Sequence, residues 1–270
     1  MGKRTVEKKQ LDSIRRPSKR SIGSKGVNTL FGGGIPRDRA VLVVGGPGTG
    51  KTTLGVQFLL QGAINGEHGL HVVLEENPQA LMRRFNFLQL PGNEDATYSK
   101  LLKSGKIKIL DLLSARIGYR EEVNTSKNII IPPIFRLGDL LGVIYDLVRD
   151  YDIKRIVIDS LQSFFLLAER EVVQLREVLL AIMEPYRRVG IGLLVTAERS
   201  SMSDGDSYQF LDHCFDAVIS LSKGLTNKPN IRSLRVEKAL WTTHDLRPHQ
   251  FKISNAGIEL IGPIETDVNS

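Results

Sequence analysis

The chain has 270 residues, 41% of them hydrophobic and 25% charged, with one cysteine and a formal net charge of +7. A lone Cys214 excludes an internal disulfide framework and suits a reducing compartment. No apolar run approaches the roughly 18 residues of a membrane span, and the charged N-terminus lacks the apolar core of a signal peptide, so a cytoplasmic protein without membrane association is expected.

The charge is not spread evenly. Within residues 1–26, nine Lys/Arg (Lys3, Arg4, Lys8, Lys9, Arg15, Arg16, Lys19, Arg20, Lys25) meet only Glu7 and Asp12, so this stretch carries the whole +7. The other 28 basic residues balance 28 acidic ones. Residues 1–26 are expected to be a disordered basic tail, either a solvated end or an arm for nucleic acid or another acidic partner. Gly26 to Pro36 then reads as a turn-rich approach to one folded domain, residues 27–263, with 264–270 as a C-terminal tail.

The following stretch organises the rest. Val41–Val44 is an apolar run of the kind a buried parallel strand shows. Gly45, Gly46, Pro47, Gly48, Thr49, Gly50, Lys51 and Thr52 then fit G-x-x-x-x-G-K-[ST], and Thr53 leads into a helix. The glycines let the backbone turn so that its N–H groups converge on a polyphosphate, and the helix N-terminus behind them adds a positive dipole end. In that arrangement Lys51 reaches the β- and γ-phosphates of a nucleoside triphosphate, and the Thr52 hydroxyl ligates Mg²⁺.

The helix is expected to run to about Ile64, ahead of an Asn65-Gly66 turn. Leu70–Leu74 is a second strand ending at Glu75-Glu76, and Pro78 opens a helix to about Leu88. Ile107–Leu113 is a third strand, 114–134 a surface loop and Leu137–Tyr151 an amphipathic helix. Arg155–Ser160 is a fourth strand. A helix over 171–189 presents Leu175, Leu179, Ile182, Met183 and Tyr186 on one face and should be kinked by Pro185. Ile191–Ala197 is a fifth strand and 200–212 a loop. Strands at 215–222, 233–240 and 249–260 have no helices between them and should pair antiparallel. This order predicts an α/β fold with a mostly parallel central sheet flanked by helices and antiparallel strands at its C-terminal end.

Ligands of open α/β sheets bind at the carboxyl ends of the strands, where three acids fall. Asp159 is placed to hold Mg²⁺ beside Thr52, directly or through water. Glu75 and Glu76 point to different faces, so one is available to orient or deprotonate a water attacking the γ-phosphate while the other pairs elsewhere. Adjacent His213 and Cys214 have no second His/Cys pair at metal-site spacing, which argues against zinc. Trp241 is expected in the subunit's own core, with stacking on an adenine or packing at a subunit interface as the alternatives.

Gly32–Pro36, Gly45–Thr53, Glu75–Pro78, Ile156–Ser160, Thr196–Arg199 and Lys238–His244 follow in the order seen in the KaiC-like branch of the RecA-fold P-loop ATPases, which residues 26–262 resemble. The resemblance implies an ATPase that binds ATP and Mg²⁺ between neighbouring subunits of a homo-oligomer, commonly a hexameric ring. It implies catalysis by Glu75 and Glu76, contact of Lys238, Thr242 and His244 with an adjacent subunit's nucleotide, and in some members autophosphorylation on Ser/Thr. Where the family has an arginine finger in Lys-x-Arg-Gly, this chain has Leu240 and Trp241. A finger is worth roughly 10³–10⁵ in rate, so slow hydrolysis is expected unless Arg235 or Arg247 substitutes. Two alternatives stay open: a RecA/RadA-type DNA-binding repair ATPase using residues 1–26, and an ATP-gated scaffold or regulator of a protein partner that does not hydrolyse ATP.

Overall fold

The computed structural model describes residues 18–118, 127–133, 137–163, 172–199, 209–225 and 228–265. Among them, Lys19–Arg20 (β1) pairs antiparallel with Ile35–Pro36 (β2). Ten further strands make one sheet: β3 Ala40–Gly45, β4 His68–Val73, β5 Ile107–Asp111, β6 Ile129–Ile130, β7 Ile153–Asp159, β8 Gly192–Glu198, β9 Ala217–Leu225, β10 Lys228–Ala239, β11 His249–Ser254 and β12 Gly257–Pro263. Their spatial order is β12-β11-β10-β9-β3-β8-β7-β4-β5-β6. Every neighbouring pair from β9 to β6 is parallel, and β9 to β12 are antiparallel. The expected fold class is thus observed.

Alternation along the strands builds two cores. Val41 and Val43 of β3, with Val157 of β7, face a core filled by α1 (Lys25–Leu30), α2 (Lys51–Ile64), α3 (Pro78–Phe85) and α4 (Tyr98–Lys103). Ala40, Leu42 and Val44, with Ile156 and Ile158, face the other, covered by α6 (Leu137–Asp150) and α7 (Val172–Arg188). Burial on both faces is what makes these strands continuously apolar. Of the apolar face expected on α7, Leu179, Met183 and Tyr186 are buried, while the side chains of Leu175 and Ile182 lie outside the described residues.

The second layer sits close because α2 carries glycines where it crosses β7. A Cβ on Gly55 would come within 2.9 Å of Val157 Cγ1, and one on Gly62 within 2.4 Å of Arg155 Cδ.

Several boundaries differ from expectation. The tail ends earlier than residue 26: β1 begins at Lys19, Ile22 is fully buried, and Ser24 caps α1. Arg20 is drawn in because Glu67, far along the chain, accepts its Nε at 3.1 Å. Residues 1–17, the rest of the expected tail, lie outside the described residues, as does most of the expected 200–212 loop, whose end is helical as α8 (Gln209–Cys214). The third strand stops at Asp111, whose carboxylate caps α5 (Leu112–Arg116) through Ser114 N–H. The expected single strand over 249–260 is a hairpin, turned at Asn255-Ala256 with Gly257 at φ +87°.

Candidate functional site

The loop between β3 and α2 closes on itself. Lys51 Nζ donates to the carbonyls of Gly45 at 2.8 Å and Gly46 at 2.9 Å, and Thr49 Oγ1 donates to Gly46 O at 2.9 Å. A Cβ on Gly45 would stand 2.3 Å from Leu221 O, so the strand end admits only glycine there. Gly48 and Gly50 have φ of +71° and +112°, the left-handed region that favours glycine. Gly46 is different: its φ is not positive and a Cβ there would meet nothing within 4 Å. The chain's own packing gives no reason for glycine at 46, whereas a ligand approaching the backbone does.

The helix start adds a second reason. Side chains of Ser24, Asn77, Thr97 and Asp111 cap α1, α3, α4 and α5, but α2 begins at Gly50 with no side-chain acceptor for its first N–H groups. Uncapped N–H groups at the positive end of a 14-residue helix suit an anion.

The sheet order sets the acids beside this loop. Strands β3, β8, β7 and β4 are consecutive neighbours, and Gly45 pairs with Glu198 while Val73 pairs with Asp159. Their tips therefore present Gly45, Glu198, Asp159 and Glu75 in a row. Burial lowers the Lys51 pKa, opposed by Glu198, Asp159 and Glu75 in that order, so all three carboxylates act on one ammonium.

The two glutamates have separate partners. Ser160 Oγ donates to Glu75 Oε1, which Ser163 Oγ also reaches at 2.8 Å. Glu76 instead meets Arg84 at 2.8 Å. Thr196 Oγ1 donates to Asp159 Oδ1. Among the described residues no group of three or more His, Cys, Asp or Glu gathers as a metal site of its own. A magnesium ion that shares a nucleotide's phosphates needs only one or two protein oxygens, and the Asp159 carboxylate and Thr52 hydroxyl are hard oxygen donors of the kind that fits it. Sequence reasoning assigned no role to Ser160, Ser163, Thr196 or Glu198. Their position at the ends of β7 and β8 was the available signal.

The late segment lies elsewhere. Lys238 Nζ donates to the carbonyls of Asp212 at 2.9 Å and Phe215 at 2.8 Å, so within one subunit it caps α8. Thr242 Oγ1 donates to Thr243 O at 3.0 Å. His244 Nε2 and Trp241 Nε1 are buried without a hydrogen-bond partner among the described residues. Trp241 stacks on Phe31, with ring centroids 5.8 Å apart, against the subunit's own core. Leu240 is 65% exposed.

Comparison with known proteins places these features in company. A family described as "ATPase: KaiC" matches residues 21–265. A UPF0273 protein of Aeropyrum pernix is 31% identical over 240 residues, covering 87% of this chain and 90% of its own. A UPF0273 protein of Thermotoga maritima is also 31% identical over 240 residues, covering 87% and 93%. A solved KaiC-like protein from Pyrococcus horikoshii superposes with a TM-score of 0.72 at 30% identity, covering 91% of this chain and all of that one.

Proposed function

Since the chain belongs to the KaiC family of ATPases, we propose that it binds ATP with Mg²⁺ at Gly45–Thr53 and hydrolyses it slowly to switch the state of a ring-shaped homo-oligomer, commonly six subunits. The observation that carries this reading is the row of strand tips, Gly45, Glu198, Asp159 and Glu75, set beside Lys51 at the mouth of a helix without a side-chain cap. The loop N–H groups and Lys51 bind the β- and γ-phosphates. Thr52 and Asp159 would hold the Mg²⁺, which would supply neutralisation of the phosphate charge.

The glutamates divide the work. Glu75 has Oε1 fixed by two serine hydroxyls, which leaves Oε2 to take the proton of a water aligned on the γ-phosphate. Glu76, tied to Arg84, holds the segment between β4 and α3. Lys238, Thr242 and His244 serve the neighbouring subunit's nucleotide. For Lys238 this requires exchanging its bonds to Asp212 O and Phe215 O, so assembly and α8 are linked.

A second reading, an ATP-gated scaffold without turnover, is favoured by Leu240 at the finger position. Native mass spectrometry with and without Mg-ATP, paired with a turnover assay, separates these readings. Slow ATPase action predicts an oligomer with bound nucleotide and turnover well below one per second, abolished by Glu75→Gln, with nucleotide binding lost in Lys51→Ala. A monomer at every concentration with ATP would sink the inter-subunit site, and several turnovers per second would sink slow hydrolysis. Bound ATP without turnover would leave the scaffold.

A further inference from the structure

At the opposite end of the strands from these tips, where β4 and β7 begin, β1, the turn after α2 and the start of β7 line an open-mouthed cavity of about 230 Å³. Five cationic side chains line it: Lys19, Arg20, Arg37, Lys154 and Arg155. Glu67 and Asp152 are its acids. Both are already engaged. Glu67 takes Arg20 and Arg37 on Oε1 at 3.1 and 2.9 Å and Arg155 on Oε2 at 2.6 Å, while Asp152 takes Lys154 at 2.6 Å.

Five cations against two acids leave a formal surplus of three positive charges. The C-terminal end of α2 offsets only about half a charge. The Arg20 and Arg155 side chains keep 2% and 1% of their exposure, so water screens them little. Hydrogen bonds also fix their orientation. Arg20 Nη1 donates to Arg37 O and Gly190 O, both at 2.8 Å, and Arg155 Nη1 to Ser21 O at 2.7 Å and Phe58 O at 2.9 Å. Burial, with the charges of Arg20 and Arg37, pushes Arg155 down to about 10 despite the pull of Glu67. A preformed cavity in which three pre-oriented guanidinium groups share one carboxylate, and so stay only partly neutralised, is the setting in which an anion binds.

We propose that this cavity is a binding site for a tetrahedral oxyanion, either inorganic phosphate or a phosphoryl group carried on a larger molecule. A phosphate carrying nearly two negative charges cancels most of the surplus. Arg37 and Lys154, with 47% and 39% of their side chains exposed, meet it at the mouth. The site stands apart from the nucleotide loop and does not depend on the function proposed above.

The test uses the full chain carrying Lys51→Ala, which silences the nucleotide loop. Thermal unfolding is followed in orthophosphate against sodium chloride of equal ionic strength. At ten times its dissociation constant, orthophosphate should raise the midpoint by about 3–5 °C. Adding Arg37→Gln and Lys154→Gln, which alters two exposed side-chain ends, should remove that shift and so separate binding from the general stabilisation phosphate gives by exclusion. A parallel arm with phenyl phosphate distinguishes the sources: an equal shift assigns the site to a carried phosphoryl group, and a shift with orthophosphate alone assigns it to the free ion. No gain over chloride, or an undiminished gain in the triple variant, overturns the proposal.

Discussion

At the scale of single residues, Glu67 decides whether the N-terminal segment stays attached. Removing one member of a buried ionic group leaves the others uncompensated, at a cost of about 3–5 kcal/mol. Glu67→Ala is therefore expected to lose about that much stability in urea unfolding at pH 7, far more than an exposed ion pair is worth. Arg155 and Arg20 hold the Glu67 carboxyl below its usual range, overcoming the opposing effect of burial. A depressed carboxylate stabilises the fold above its unfolded value near 4.3, and that contribution disappears as pH falls through the folded value. The variant should accordingly show a shallower loss of stability below about pH 4.5 than the wild type. His71 works over a different window. Buried, with Nδ1 against Tyr98 Oη at 2.8 Å, it is pushed down to about 4, mainly by desolvation. The unfolded chain takes up that proton near 6.5, so stability should decline by roughly 3 kcal/mol between pH 6.5 and 4. In the double variant His71→Leu/Tyr98→Phe this segment of the pH–stability curve should flatten. An unchanged slope there would remove His71 as its source.

At the scale of elements, α2 lies close on β7 because Gly55 leaves room for Val157 and Gly62 for Arg155. Gly62→Ala gains up to about 1 kcal/mol of helix propensity. Against that, its methyl would stand 2.4 Å from Arg155 Cδ and 2.5 Å from Nε, in a side chain fixed by Glu67, Ser21 and Phe58. Displacing a packed neighbour costs typically 1–3 kcal/mol, and here it also strains the ion cluster, so net destabilisation is expected in chemical unfolding. The strands around this helix were readable in the sequence because burial on two faces demands apolar runs, and the phosphate loop was readable because its glycines, lysine and threonine fall at the spacing a polyphosphate cradle needs. Short elements were not. Helix α4 has six residues, less than the window in which a 3.6-residue period can be recognised, although Thr97 caps it visibly. The 249–260 hairpin had a signal in Asn255-Ala256-Gly257, a turn sequence with a glycine at positive φ, that apolar alternation on both sides obscured. The ordering of Lys19 to Gly26 was invisible for a different reason. Local charge says disorder, and the neutralising carboxylate arrives from Glu67 only in three dimensions.

At the scale of the whole molecule, the row of strand tips was legible as separate motifs but not as a row, because the crossover order β3-β8-β7-β4 is a tertiary fact. The same limit applies to the finger. Sequence could name Arg235 and Arg247 as substitutes for the residue missing at Leu240. The structure shows Arg235 Nε at 3.5 Å from Glu237, and Arg247 gripping Asp245 with contacts from 2.6 to 3.0 Å. Asp245 responds with a lowered pKa, through hydrogen bonds to the Arg247 side chain and backbone. An arginine that reached into a neighbour's site would have to abandon these acids. Leu240 meanwhile sits just past the end of β10, exposed, with its N–H anchored to Asp216 O at 3.0 Å, so its backbone is already set by β9 and β10. If the nucleotide lies between subunits, the deficit in this chain is one side chain rather than a misplaced strand. Arg247→Ala should then leave steady-state ATP turnover within about threefold of wild type. Leu240→Arg should raise kcat by at least about tenfold, a fraction of the roughly 10³–10⁵ that a fully registered finger delivers. The gain should vanish at protein concentrations where native mass spectrometry finds only monomer. A rise in kcat that persisted in the monomer would place the new guanidinium on its own subunit's phosphates and end the inter-subunit account.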